Sequence, residues 1–172
     1  MKVLIVYSTH GGASKRCAEM LEEKIKNRFE VTLVNVKEKN GAPSPEEYDV
    51  AVIGGPVRFG HIDKTLRNYL KNNAEKLNEI SSAFFYCCGF PADVEEYIDT
   101  QFPKELNFSL GVHCFGGELK PEKLKGFDKL VVKMVRSHIN SQDFEESDAD
   151  HAPLPELLPE SVERLADMII EL

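Results

Sequence analysis

The sequence predicts an α/β fold: five strands in a doubly wound parallel sheet, with helices on both faces to make three layers. Three observations predict it. Short apolar runs recur at residues 2–7, Val31–Val36, Val50–Ile53, Ala83–Cys88 and Leu110–Phe115. Such continuous runs suit strands covered on both faces, because a half-exposed strand alternates polar and apolar residues. Stretches with apolar residues at three- and four-residue spacing lie between the runs, as helices packing one stripe require. The connections are short, which favours right-handed crossovers in one sheet.

Each element has its own justification. The first helix starts near Ala13, capped by Ser14 or its neighbours, with Cys17, Met20, Leu21 and Ile25 as its stripe. Residues 37–47 are polar and Gly/Pro-rich, leaving little room for a long helix after the second strand. Gly54-Gly55-Pro56 stops the third strand. The next helix covers about residues 62–77, with Ile62, Leu66, Tyr69, Leu70, Ala74 and Leu77 on one face and His61 as its cap. A short helix is expected between Pro91 and Pro103, over residues 93–102. An added amphipathic helix at 127–139, an acidic loop at 143–150 and a last helix at about 159–171 complete the chain. No internal repeat or second domain is visible, so residues 1–172 read as one domain.

Composition excludes several function classes. The net charge of −8 argues against nucleic-acid binding, which draws most of its affinity from basic surface. No apolar run reaches the ~20 residues of a membrane span, and the N-terminus lacks a signal-peptide pattern. The expectation is a cytoplasmic protein without stable membrane insertion. Its four cysteines, Cys17, Cys87, Cys88 and Cys114, read as free thiols with no zinc spacing, so no metal site is expected.

Ligands of doubly wound sheets sit beyond the carboxyl ends of the strands, where strand order reverses. The sequence turns unusual at three such places. Tyr7-Ser8-Thr9-His10-Gly11-Gly12-Ala13-Ser14 runs from a buried strand into a helix start, gathering hydroxyls and backbone N–H groups as a phosphate site needs. Gly54-Gly55-Pro56-Val57-Arg58-Phe59-Gly60-His61 follows the third strand, and Cys87-Cys88-Gly89-Phe90-Pro91 follows the fourth.

These three segments resemble the flavodoxin family, the standard example of a cofactor at the switch point of this topology. The resemblance implies strand order 2-1-3-4-5 and an FMN cofactor. Thr9, Gly12 and Ser14 match the family's phosphate loop; Gly11 stands where threonine is usual and Ala13 where asparagine is frequent. Ser8, Thr9, His10, Gly11, Gly12, Ala13 and Ser14 are thereby implied to hold the phosphate. Pro56, Val57, Arg58, Phe59 and Gly60 would cover one ring face. Phe59 falls at the stacking position and Gly60 at the peptide that reorients when the flavin is reduced. Cys88, Gly89 and Phe90 would edge the ring; the family's outer-face tyrosine is missing, leaving Phe90 or an open face.

The wording Pro-Val-Arg-Phe-Gly-His, with Leu77–Phe85 and Phe127–Ile139, is similar to the menaquinone-dependent protoporphyrinogen dehydrogenase group and to flavodoxin-like quinone oxidoreductases. The implied partner is a redox protein or a small quinone- or porphyrinogen-type substrate. Flavin chemistry needs no side-chain acid or base, so no catalytic residue is assigned. Electron carrier and dehydrogenase stay open, as does an interaction module that has lost FMN, supported by Gly11 and Ala13. A response regulator is excluded, since no acidic cluster follows strand one and no aspartate follows strand three.

Smaller assignments are weighed singly. His10 reads equally as a phosphate ligand or an exposed loop residue, and Arg58 as a counter-charge or a solvated arginine. His113 reads as a satisfied strand residue. Cys87 and Cys88 read as small apolar residues rather than a redox pair. The lysines of the 127–139 helix read as its solvated face.

Overall fold

A computed structural model of the chain describes residues 1–38, 41–58, 60–89, 94, 98–117 and 155–172. The elements are β1 (Lys2–Tyr7), α1 (Ala13–Ile25), β2 (Glu30–Asn35), β3 (Val50–Arg58), β4 (His61–Ile62), α2 (Lys64–Glu79), β5 (Ser81–Cys87), β6 (Val112–Cys114) and α3 (Pro159–Ile170). Strands pair in the order β2-β1-β3-β5-β6, all parallel, with β4 attached antiparallel to β3. The expected order thus holds along the parallel path. The reversal of strand order falls between β1 and β3.

The apolar runs fill two cores because successive strand residues face opposite sides. Val3, Ile5 and Tyr7 of β1 pack with Val52, Phe85, Cys17, Leu21, Leu165 and Ile169, placing α1 and α3 on one face. Leu4 and Val6 pack with Ile53, Phe84, Leu66, Leu70 and Leu77, placing α2 on the other. Three layers result. An exposed Lys24–Glu163 ion pair at 2.6 Å also joins α1 to α3.

Three local expectations need correction. Gly54-Gly55-Pro56 does not end the third strand; β3 continues to Arg58. Two partners carry it on: Gly54, Gly55 and Pro56 pair with Phe85, Tyr86 and Cys87, and Val57 and Arg58 pair with Ile62 and His61. Gly54 is needed there because an added Cβ would come within 2.1 Å of the Phe85 ring.

His61 does not cap α2. It lies exposed in β4, and Asp63 accepts from Thr65 N at 2.9 Å instead. Ser14 does not cap α1: the N-cap is Gly12, at φ 92°, with no side-chain cap. Of the helix expected over 93–102, the described residues are Val94, which is helical, and those from Ile98 on, where Ile98–Gln101 form a 3₁₀ turn. The expected helix at 127–139 and acidic loop at 143–150 lie outside the described residues.

The Asp63 cap has a pH signature. Burial alone would raise its carboxyl, but the hydrogen bond and charge of Lys37, 2.6 Å away, with the Thr65 and Leu66 N–H groups, bring it below the usual carboxylate range. A depressed folded pKa stabilises above the unfolded value of about 3.9, and the gain is lost as pH falls through the folded value. Asp63→Ala is expected to cost about 1 kcal/mol at pH 7 in urea unfolding. The gap to the parent protein should close in acid below pH ~4.

Candidate functional site

The carboxyl ends of β1, β3 and β5 lie side by side, so the three unusual segments meet at one edge of the sheet. Tyr7 is in register with Gly54, and Pro56 with Cys87. Ser8 N donates to Gly54 O at 2.9 Å, tying the first segment to the second.

The turn after β1 is held by its own atoms. Thr9 Oγ1 accepts from Gly12 N at 3.0 Å, and Arg16 N reaches Gly12 O at 3.0 Å. A left-handed Gly12 lets the chain enter α1 this sharply. The first turn then leaves the N–H groups of Ala13, Ser14 and Lys15 without intrahelical acceptors. It contains no acidic residue. His10 and Gly11 are exposed, and a side chain at Gly11 would meet nothing within 4 Å.

Two buried hydroxyls stand out here. Among the described residues neither Ser8 Oγ nor Ser14 Oγ has a hydrogen-bond partner, although both residues are essentially inaccessible. An orphaned buried hydroxyl costs on the order of 1–3 kcal/mol. Ser8 lies in the crevice between β1 and β3, where an added Cβ on Gly55 would approach its Oγ to 2.4 Å. Ser14 instead turns beneath the loop, beside the Cys87 thiol.

The second segment is a β3–β4 hairpin, not an open loop. Pro56, Val57 and Arg58 lie within β3, and Gly60 takes the turn at φ 77°. Phe59 lies outside the described residues. A residue that the sequence did not single out fastens this hairpin: Gln101 Nε2 donates to Gly60 O, and its Oε1 accepts from Ile62 N at 2.9 Å. No local pattern marks Gln101, because its partners are 39 and 41 residues away. Gln101→Ala is expected to speed amide exchange at Ile62 roughly tenfold, the loss of about one hydrogen bond. Unchanged exchange would show that the clamp adds nothing to the hairpin.

In the third segment Cys88 N donates to Gly116 O at 2.9 Å, tying it to the end of the β6 segment. Phe90 lies outside the described residues. Cys87, read from the sequence as a small apolar residue, is buried in the core and faces Cys17 across the layer, Sγ to Sγ 3.8 Å. Donation to Cys17 and burial push the Cys87 thiol up, and the same bond brings Cys17 down. All four cysteines are free. His113 is satisfied by Leu110 O at 2.7 Å, as a strand residue. Among the described residues no cluster of three or more His, Cys, Asp or Glu suits a metal.

The edge therefore offers an anion a helix start, the Thr9 hydroxyl and a buried Ser8 hydroxyl, with no carboxylate in the turn. It lies at the point where strand order reverses, where this topology binds ligands. A family model described as Flavodoxin domain matches residues 4–147. The chain belongs to the flavodoxin-domain family.

Other likenesses agree on the fold. The flavodoxin 1 of Bacillus cereus superimposes with a TM-score of 0.57 over 100% of this chain and 99% of its own, at 12% identity. The Fusobacterium nucleatum flavodoxin bound to flavin mononucleotide gives 0.51 over 99% and 97%, at 14% identity. Among curated proteins, the protoporphyrinogen IX dehydrogenase [quinone] of Escherichia coli (strain K12) is 34% identical over 86 residues, 49% of this chain and 47% of that protein. This flavodoxin domain thus spans about half the length of the curated relatives it matches. Among its described residues no helix is long and apolar enough to cross a membrane.

Proposed function

We propose that this flavodoxin domain binds FMN at the β1–β3 switch point and works as an oxidoreductase between a porphyrinogen-type substrate and a quinone. The observation that carries the reading is the turn after β1: a helix start without acidic residues, beside a buried Ser8 hydroxyl that has no partner among the described residues. These groups fit a phosphate ester, which accepts hydrogen bonds and carries negative charge.

When bound, FMN supplies the electron-transfer chemistry. The protein binds and orients it. The Ser8 and Thr9 hydroxyls and the N–H groups of Gly11, Ala13 and Ser14 would hold the phosphate, with His10 at the exposed rim. Pro56, Val57, Arg58 and Phe59 would cover one ring face. Gln101 restrains the Gly60 carbonyl and so sets how readily that peptide reorients. Cys88, Gly89 and Phe90 would form the edge on the β5 side. The Cys17–Cys87 thiols pack below the turn as part of the core and take no electrons in this reading. The proposed setting is the cytoplasm.

The test starts with colour. Protein purified in added FMN should be yellow, with flavin absorbance that stays with the chain through gel filtration. A chain that stays colourless and leaves FMN fluorescence unquenched would refute the reading and favour an interaction module. With FMN bound, turnover of protoporphyrinogen with a soluble quinone is expected. A yellow protein that turns over neither compound would instead be an electron carrier, a role the flavodoxin fold also serves.

A further inference from the structure

A cleft of about 460 Å³ lies along α2, beside the hairpin that Gln101 fastens. One wall carries Lys64, Arg67 and Lys71, and the other carries Gln101, Phe102 and Pro103. The three cations recur at i, i+3 and i+7, so they form one row about 10 Å long on a single helix face. All three are exposed, and none forms an ion pair among the described residues. Lys37 and Lys76, by contrast, are paired with Asp63 and with Glu46 and Glu79. Glu105 is the acidic residue at the cleft's rim.

The opposite wall is apolar and fixed. Phe102 is held edge-on by Phe84, with ring centroids 4.8 Å apart, and by Phe108 at 5.2 Å. Its ring therefore presents a rigid surface at little entropic cost. The volume lies in the range of small-molecule sites, and a mainly apolar lining with a few convergent charges is their usual composition. Gln101 belongs to both places: it lines the cleft and holds the Gly60 carbonyl.

We propose that this cleft binds the carboxylate-bearing edge of an apolar organic dianion, the reducing substrate of the domain. The cationic row takes the carboxylates, and Phe102 and Pro103 take the apolar body. The occupant then ends at the hairpin expected to cover the flavin. The substrate assignment rests on the FMN reading; the binding itself does not. Two carboxylates fit better than one, because the row extends about 10 Å along the helix.

The probe is mesoporphyrin IX, a stable fluorescent dicarboxylate, titrated into the full chain with and without FMN. Saturable one-to-one binding is expected, weakening as KCl rises from 50 to 300 mM. Arg67→Glu should weaken it tenfold or more, and Arg67→Gln by a smaller factor. Lys26→Glu, the same charge change on the far end of α1, should alter it less than twofold. FMN affinity should stay within twofold in all three variants, whose side chains are exposed and leave the core intact. Absent binding, indifference to Arg67→Glu, or an equal loss in Lys26→Glu would overturn the proposal. If FMN binds and the probe does not, the cleft assignment alone falls. If the probe binds and FMN does not, the cleft stands as a dianion site and the redox reading falls.

Discussion

Gly54→Ala is expected to destabilise the protein by about 3 kcal/mol, the upper range for overpacking a filled core. An alanine methyl would come within 2.1 Å of Phe85 Cδ1, and to 2.2 and 2.4 Å from two further ring atoms. The ring cannot retreat, because it stacks on Phe115 at 4.7 Å with the planes 16° apart. Nor can the backbone shift freely: Gly54 O accepts from Ser8 N, and Gly54 sits between Tyr7 and Phe85 in the central ladder. The cost should appear as a lower urea midpoint with an unchanged slope. Phe85→Leu in the same chain should recover part of it, because a smaller side chain returns the missing volume. A double-mutant cycle measures this coupling directly. An additive cycle would show that the strain is not localised between residues 54 and 85.

The second large effect is on the cofactor. Gly11→Asp should weaken FMN binding by roughly 2–4 kcal/mol, or about 30- to 1000-fold, by placing a carboxylate against a phosphate. The position suits the test because an added side chain there meets no atom within 4 Å and the residue is exposed. The melting temperature should therefore stay within a degree or two of the parent. Gly11→Thr supplies the hydroxyl that related phosphate loops carry, and should tighten FMN by about tenfold, one charge-assisted hydrogen bond. The fluorescence of free FMN, quenched on binding, reads both constants. Equal affinity in all three proteins would move the phosphate away from this turn.

Much of this arrangement could be read in the linear chain. Val3–Val6 and Val50–Ile53 are apolar at every position because the sheet is covered on both faces, and that double coverage is visible locally. The stripe Cys17, Met20, Leu21 and Ile25 showed which face of α1 would turn to the core: Cys17, Leu21 and Ile25 are buried and Met20 packs half-buried against them. Ser8 to Ser14 was recognisable from composition as a turn between a buried strand and a helix start, and the structure has that turn between β1 and α1.

The misread positions share one cause. Gly54-Gly55-Pro56 looks like a stop because these residues have poor strand propensity. In the fold their smallness is the requirement, imposed by Phe85 and Ser8 from neighbouring strands. Asp63 displaced His61 as cap because the chain spends His61 on a two-residue strand against Arg58.

Local pattern thus established the parallel strands, the main helices among the described residues and the fold class. Those properties depend on residues within one or two turns of each other. Only the folded chain decided what surrounds each position. It set Gln101 on the Gly60 carbonyl from 41 residues away, and brought Lys64, Arg67 and Lys71 into one cleft with Phe102. Such contacts arise from the order in which strands pack into the sheet, and propensity carries no information about distant partners.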